Sequence, residues 1–154
     1  MTTLPAHGTS APPFELAGPD KYPLSFPGES SKLTTLLFFI KHDCATCLLV
    51  APLVEQLYRT LGPHALRALV VSQSSAVETR GFVKATELTT QTVLDTGLDV
   101  SDHYGFDAVP ALVLTKPDGE VLASFEGWVK VDWNIMVRQA LEACDAKDVD
   151  ASAL

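Results

Sequence analysis

Apolar residues fall in short continuous blocks of strand length, separated by segments where they recur at helical spacing. The densest block is Leu36-Leu37-Phe38-Phe39-Ile40. The run Lys32 to Ile40 predicts a strand buried on both faces, because a half-exposed strand would alternate with polar residues. Cys44 to Leu61 has helical spacing and stops at Gly62-Pro63. Leu66 to Ser72 predicts a second buried strand. Ser74 to Leu88 predicts a helix that offers Val77, Phe82 and Val83 to one face, with Ser74 or Ser75 as its cap. Thr92 to Leu94 and Val100 to Tyr104 predict a short strand and a short helix. Ala111 to Thr115 and Glu120 to Phe125 flank the turn Lys116-Pro117-Asp118-Gly119, which predicts an antiparallel hairpin with a firm register. In the segment Val131 to Cys144, Trp133, Val137, Ala140, Leu141 and Cys144 form one stripe that must face a core. Trp128 and Trp133 are expected to pack this last helix or cover a sheet edge. Near the start, Phe14 to Leu16 and Tyr22 to Phe26 surround Gly18-Pro19-Asp20 and predict a small hairpin, with Pro23 confining its second strand to an edge. Strands alternating with helices, closing on a hairpin and a packed helix, imply an α/β fold: a central mixed sheet flanked by helices on both faces.

Domain organisation follows from where this pattern begins and ends. Residues 1–13 hold Pro5, Gly8, Pro12 and Pro13 and predict a mobile or extended lead-in, residues 14–144 the folded domain, and residues 145–154 a polar tail that frays. A chain of 154 residues, 47% hydrophobic and 19% charged, can bury a substantial single core without disulfide staples. A formal charge of −8 excludes nucleic acid as a natural partner, because a phosphate backbone would be repelled. Met1 to Pro13 has neither the basic nor the apolar region of a secretory signal, and no apolar run reaches membrane-spanning length, so no membrane association is expected. Of three cysteines, two form a CxxC pair, a usage that suits a working dithiol in the cytoplasm better than a stapled secreted domain.

That pair, Cys44-Ala45-Thr46-Cys47, lies between the buried strand and the helix that follows it. A thiol at the first turn of a helix faces unpaired backbone N–H groups and the positive end of the helix dipole, and both favour the thiolate. Two intervening residues put the second thiol about one helical turn away, within reach of a small disulfide ring. Cys44 is the candidate nucleophile and Cys47 the resolving thiol. A zinc half-site is the competing reading, but zinc needs four ligands and the chain has no second CxxC or clustered histidine pair. Asp43 reads as the N-cap of the helix, and Asp43 and His42 are candidate modulators of the neighbouring thiol, with Lys41 a further source of positive charge. Cys144, on the apolar stripe of the last helix, reads as a buried inert thiol.

Three features together resemble the thioredoxin superfamily, in its TlpA-like and peroxiredoxin-like (AhpC/TSA-like) redoxin branch. The CxxC is followed by Leu48-Leu49-Val50-Ala51-Pro52, with a proline at the offset that kinks the active-site helix in thioredoxins. Phe106-Asp107-Ala108-Val109-Pro110-Ala111-Leu112-Val113-Leu114 resembles the loop and strand that carry a cis-proline opposite the dithiol. The hairpin from Lys116 to Phe125, followed by Gly127 just before the last helix, matches as well. The span from Cys44 to Pro110 leaves room for the inserted strand and helix of that branch, and Pro12-Pro13-Phe14-Glu15-Leu16 resembles its N-terminal hairpin. The resemblance implies a thioredoxin-like fold and a thiol-disulfide oxidoreductase without cofactor or metal. Val109 and Pro110 would shape the substrate groove. Its substrate would be a disulfide-bearing protein or small molecule, and its electrons would come from a donor such as a thioredoxin or glutathione system.

The chain departs from the pattern at four places. Asp43 stands where thioredoxins have tryptophan, Phe38 where they bury an acidic residue, Ala45-Thr46 where they have Gly-Pro, and Leu37 and Lys41 where peroxiredoxins have proline and threonine. The alternatives to a disulfide reductase are therefore a peroxiredoxin-like peroxidase using Cys44, a module holding a soft metal ion through the dithiol with His42 or His103, and a redox-inactive adaptor.

Overall fold

The computed structural model describes residues 4–28 and 32–154. Its centre is β3 (Thr34–Ile40), every residue of which is buried. Side chains alternate across the sheet, so Leu36, Phe38 and Ile40 join one core cluster and Leu37 and Phe39 the other. On one side β3 pairs in parallel with β4 (Leu66–Ser72), and β4 in parallel with β5 (Gln91–Leu94). On the other side β3 pairs antiparallel with β6 (Ala111–Thr115), and β6 antiparallel with β7 (Val121–Glu126). The five-stranded mixed sheet has the order β5-β4-β3-β6-β7. The expected inserted strand is β5, at the edge beyond β4. The hairpin register is regular except for a shift between Leu114 and Thr115.

Helices cover both faces. On one lie α1 (Ala45–Leu61), α2 (Ala76–Thr86) and α4 (Lys130–Ala143), which bury Val50, Val54, Leu57, Phe82, Trp133, Met136 and Val137 with Phe38 and Leu112. On the other, α3 (Asp99–Tyr104) contributes Val100 and Tyr104. It shares that face with a separate hairpin of β1 (Phe14–Ala17) and β2 (Pro23–Phe26), whose Phe26 stacks on Phe14 at 5.4 Å between ring centroids. Among the described residues no helix is long and apolar enough to cross a membrane.

Several local expectations change. Val77 is 75% exposed, not part of the buried face of α2. Five residues separate it from Phe82, about 140° around a helix. Thr79 takes the inward place and bonds Ser72 Oγ at 2.7 Å. Ser75 caps α2 in a reciprocal capping box with Glu78, while the Ser74 hydroxyl accepts from the His42 N–H in the turn after β3. The described part of the lead-in turns between Ala6 and Thr9, with Gly8 at φ +86°, and lies along the hairpin. Gly8 and Ala11 donate to Val121 and Gly119 carbonyls at 2.9 Å, and Ala11 is buried. The tail also finds a surface, because Ala146, Val149, Ala151 and Leu154 supply enough apolar area to pack on the α4 side of the core. Trp133 Nε1 donates to the Leu154 carbonyl at 3.2 Å.

Candidate active site

The site forms where the C-terminal end of β3 meets the N-terminus of α1, because a parallel strand must hand its chain to a crossover helix there. Lys41 to Asp43 make the turn, closed by the Cys44 N–H to Lys41 carbonyl bond at 3.1 Å. The N-cap of α1 is Cys44, not Asp43 as expected. Its backbone is extended, and its sulfur accepts the Cys47 N–H at 3.1 Å. A cap must lie one residue before the first helical residue with its side chain turned back over N2 or N3, and the sulfur holds that place. Asp43 is displaced to the exposed turn. α1 has no acidic residue in its first turn to compete with the Cys44 sulfur for the N–H groups there. The helix continues through Pro52, which has no N–H to give the Leu48 carbonyl one turn before it.

The two cysteines occupy different surroundings. Cys44 is half-buried and reaches solvent, while Cys47 is fully buried. Burial, then the side-chain hydrogen bond to Cys44, pushes the Cys47 thiol far above the ordinary range, against an opposing bond to the backbone at Lys41. The negative charge that Cys44 carries as a thiolate also opposes ionisation of Cys47. One thiol is therefore accessible and the other holds its proton. All three cysteines are free thiols in the structure.

Across from Cys44 stands the segment before β6. The Val109–Pro110 bond is cis, and the Val109 carbonyl accepts the Cys44 thiol at 3.6 Å. Pro110 is buried and its carbonyl accepts the Gly127 N–H at 2.8 Å, which ties the segment to the end of β7. Gly127 takes φ +73°, a conformation that favours glycine. Cys44, Cys47, Val109 and Pro110 are thus brought together by four elements of the fold.

His42 is tied elsewhere. Its backbone N–H donates to Ser74 Oγ at 2.9 Å, and the same oxygen lies 2.8 Å from Nδ1. The other ring nitrogen, Nε2, lies 3.2 Å from Glu78 Oε2, so the ring is held between Ser74 and Glu78. Hydrogen bonds from the Ser75 backbone and hydroxyl hold the Glu78 carboxyl below the usual range. The imidazole therefore braces the turn against α2 rather than bonding Cys44. Leu48 and Leu49 on α1, and Trp128 and Val129 before α4, are exposed apolar residues on segments that adjoin the thiols and Pro110. Among the described residues no group of three or more His, Cys, Asp or Glu is gathered to hold a metal.

The sequence reading missed three participants. Cys44 as its own helix cap was hidden by the stronger prior for aspartate. Ser74, as the partner of His42, could have been suspected only from the polar run Ser72-Gln73-Ser74-Ser75 at the end of a strand adjacent to β3. Glu126 accepts the N–H groups of Asp107 and Ala108 just upstream of Val109. A lone glutamate at a strand end carries no signal, although the hairpin register would have placed it opposite Ala111.

A five-stranded mixed sheet with a CxxC at the head of α1 and a cis-proline opposite it defines a thioredoxin-like protein. The chain belongs to the AhpC/TSA family, whose sequence model matches residues 7–124. Solved structures share the fold at low identity. A Chlorobium tepidum protein provisionally named thiol:disulfide interchange protein DsbE superposes with a TM-score of 0.81 at 19% identity, covering 91% of this chain and 99% of that one. A Bacteroides thetaiotaomicron protein provisionally named protein disulfide isomerase gives 0.83 at 17%, covering 94% of each. A secreted Mycobacterium tuberculosis disulfide oxidoreductase, described as homologous to E. coli DsbE, gives 0.70 at 16%, covering 84% and 95%. No curated protein matches by sequence.

Proposed function

We propose that the protein is a thiol-disulfide oxidoreductase that works through dithiol exchange at Cys44 and Cys47. The observation that carries this reading is the asymmetry of the pair: an accessible sulfur at a helix N-terminus, and a buried partner that keeps its proton. The Cys44 thiolate attacks one sulfur of a substrate disulfide. The substrate S–S bond breaks, a mixed disulfide forms, and the departing sulfur takes a proton. Forming the mixed disulfide consumes the charge on Cys44, which removes one cause that holds the Cys47 proton in place. Cys47 then loses its proton, attacks the Cys44 sulfur and releases the second substrate thiol. Two protein thiols have become one disulfide, and one substrate disulfide has become two thiols. The Val109 and Pro110 backbone positions the substrate chain, Asp43 sets the charge in the exposed turn beside the nucleophile, and His42 holds that turn in place.

In the cytoplasmic setting expected from the cysteine usage, the net direction is reduction of protein or small-molecule disulfides, with electrons returned by a thioredoxin or glutathione system. The names of the structural neighbours support disulfide exchange as the chemistry. The family match favours a second reading, a peroxidase in which Cys44 attacks a hydroperoxide, but Leu37 is buried inside β3 and Lys41 is exposed, where peroxiredoxins use proline and threonine.

Mixing pre-reduced protein separately with insulin and with hydrogen peroxide, and counting by alkylation and intact mass the thiols that remain on the protein itself, tests the choice. Loss of two thiols with insulin, far faster than any reaction with peroxide, is expected. Fast peroxide consumption with no disulfide exchange would replace this reading with the peroxidase.

A further inference from the structure

Glu126 is the last residue of β7 and faces Ala111 across the β6–β7 ladder. That register sets it beside the segment leading into Pro110. Its Oε2 accepts the backbone N–H of Ala108 at 3.0 Å and of Asp107 at 3.3 Å. Both residues are exposed, so water could satisfy these amides without help from a side chain. The other carboxylate oxygen, Oε1, is buried with no hydrogen-bond partner among the described residues. A buried carboxylate oxygen without a partner works against stability, so packing alone does not account for a glutamate here. What the Oε2 bonds accomplish is to fix the direction of the two peptides preceding Val109, whose carbonyl meets the Cys44 thiol at 3.6 Å. The next residue, Gly127, grips the Pro110 carbonyl from the same strand end. Residues 107–110 are thus held at both ends by two consecutive residues, the last of β7 and the one that follows it.

We propose that Glu126 is the positioning residue of the Val109–Pro110 segment, holding the Asp107 and Ala108 amides so that the Val109 backbone stays aligned with Cys44 and with an incoming disulfide-bearing polypeptide. The inference rests on the exchange reading above. The role needs a hydrogen-bond acceptor rather than a charge, so Glu126→Gln retains it and Glu126→Ala loses it. A polypeptide substrate needs the aligned backbone. A small disulfide such as bis(hydroxyethyl) disulfide reaches Cys44 without it.

Two measurements on the full chain test this. Amide hydrogen exchange at Asp107 and Ala108 is expected to be at least about tenfold faster in Glu126→Ala than in wild type, with Glu126→Gln close to wild type and the strand-core amides unchanged in all three. In single-turnover oxidation of reduced protein, the rate constant with insulin is expected to fall roughly 10- to 100-fold in Glu126→Ala, while that with bis(hydroxyethyl) disulfide stays within about threefold. Glu126→Gln restores the insulin rate. Equal amide exchange in the three proteins, or an equal loss with both disulfides, overturns the proposal. A wild-type protein that oxidises with neither disulfide overturns the exchange reading instead, and amide exchange tells the two failures apart because it reads Glu126 directly.

Discussion

Cys44 and Cys144 are both half-buried cysteines at helix ends, yet the two ends make opposite partners for sulfur. Cys44 caps the N-terminus of α1, where its sulfur accepts the Cys47 N–H. Cys144 caps the C-terminus of α4, where its thiol donates to the Ala65 carbonyl at 3.4 Å and burial pushes its pKa up. The Cys44 sulfur receives a helix N–H, donates to the Val109 carbonyl and opens to the surface beside Pro110, a position from which it can attack a disulfide. The Cys144 sulfur donates to the Ala65 carbonyl at the negative end of α4, and burial holds its proton against an opposing bond with Thr34. Exposure alone would rank the two alike, and both donate to a carbonyl, so what separates them is the helix N–H that Cys44 receives and the second thiol one turn away.

The comparison breaks most visibly at Cys44. Cys44→Ala is expected to lower the rate of disulfide exchange by at least about a thousandfold, since the nucleophile itself is gone. Cys47→Ser should leave the first attack intact and stop the second. A mixed disulfide with insulin would then accumulate, visible as an added mass on the protein. A variant that turns over normally without Cys47 would deny it the resolving role.

The buried thiols make a smaller, pH-dependent contribution. Cys47 binds its proton more tightly in the folded than in the unfolded chain. Its stabilisation is therefore complete below the unfolded thiol value of about 8.5, and is lost as pH rises from there toward the raised folded value. The reduced protein should lose about 1.4 kcal/mol per pH unit from Cys47 in that window. Urea unfolding at about pH 7 and about pH 10 measures it. Cys47→Ser should remove most of the slope and Cys144→Ser a lesser part. A slope that both variants leave unchanged would place its origin elsewhere.

Smaller again is the brace beneath the turn. Ser74→Ala removes the partner of both the His42 amide and ring, and is expected to destabilise the protein by about 1–2 kcal/mol while changing the exchange rate only a few fold. Loss of activity as large as that of Cys44→Ala would mean that His42 acts in the chemistry. The smallest expected effect belongs to Cys144→Ser, whose exchange rate should stay within about twofold of wild type.

Much of this was legible in the chain because the strongest signals are local and dense. The block Leu36 to Ile40 can only be a strand buried on both faces, and the CxxC between it and an apolar helix puts the dithiol at the end of that strand. The thioredoxin-like resemblance located Val109 and Pro110 by order along the chain, and the fold brings them to Cys44. What was not legible depends on angle or distance that one segment cannot encode. Val77 is apolar yet lies well around the helix from Phe82, and Asp43 is the usual capping type yet Cys44 holds the capping place. His42, Ser74 and Glu78 meet through the adjacency of β3 and β4, and Glu126 reaches residues 107 and 108 only through the hairpin register. Residues 145–154 look polar in composition, yet four spaced apolar side chains suffice to lay them on the core.

The most direct test of the account is redox equilibration of the purified protein in dithiothreitol buffers of stepped potential, followed by acid quenching, alkylation and peptide mass analysis. The account predicts one reversible disulfide, Cys44 to Cys47, formed in a single two-electron transition, with Cys144 alkylated throughout and the same midpoint in Cys144→Ser. Failure to form that disulfide reversibly, or a disulfide that includes Cys144, would contradict it.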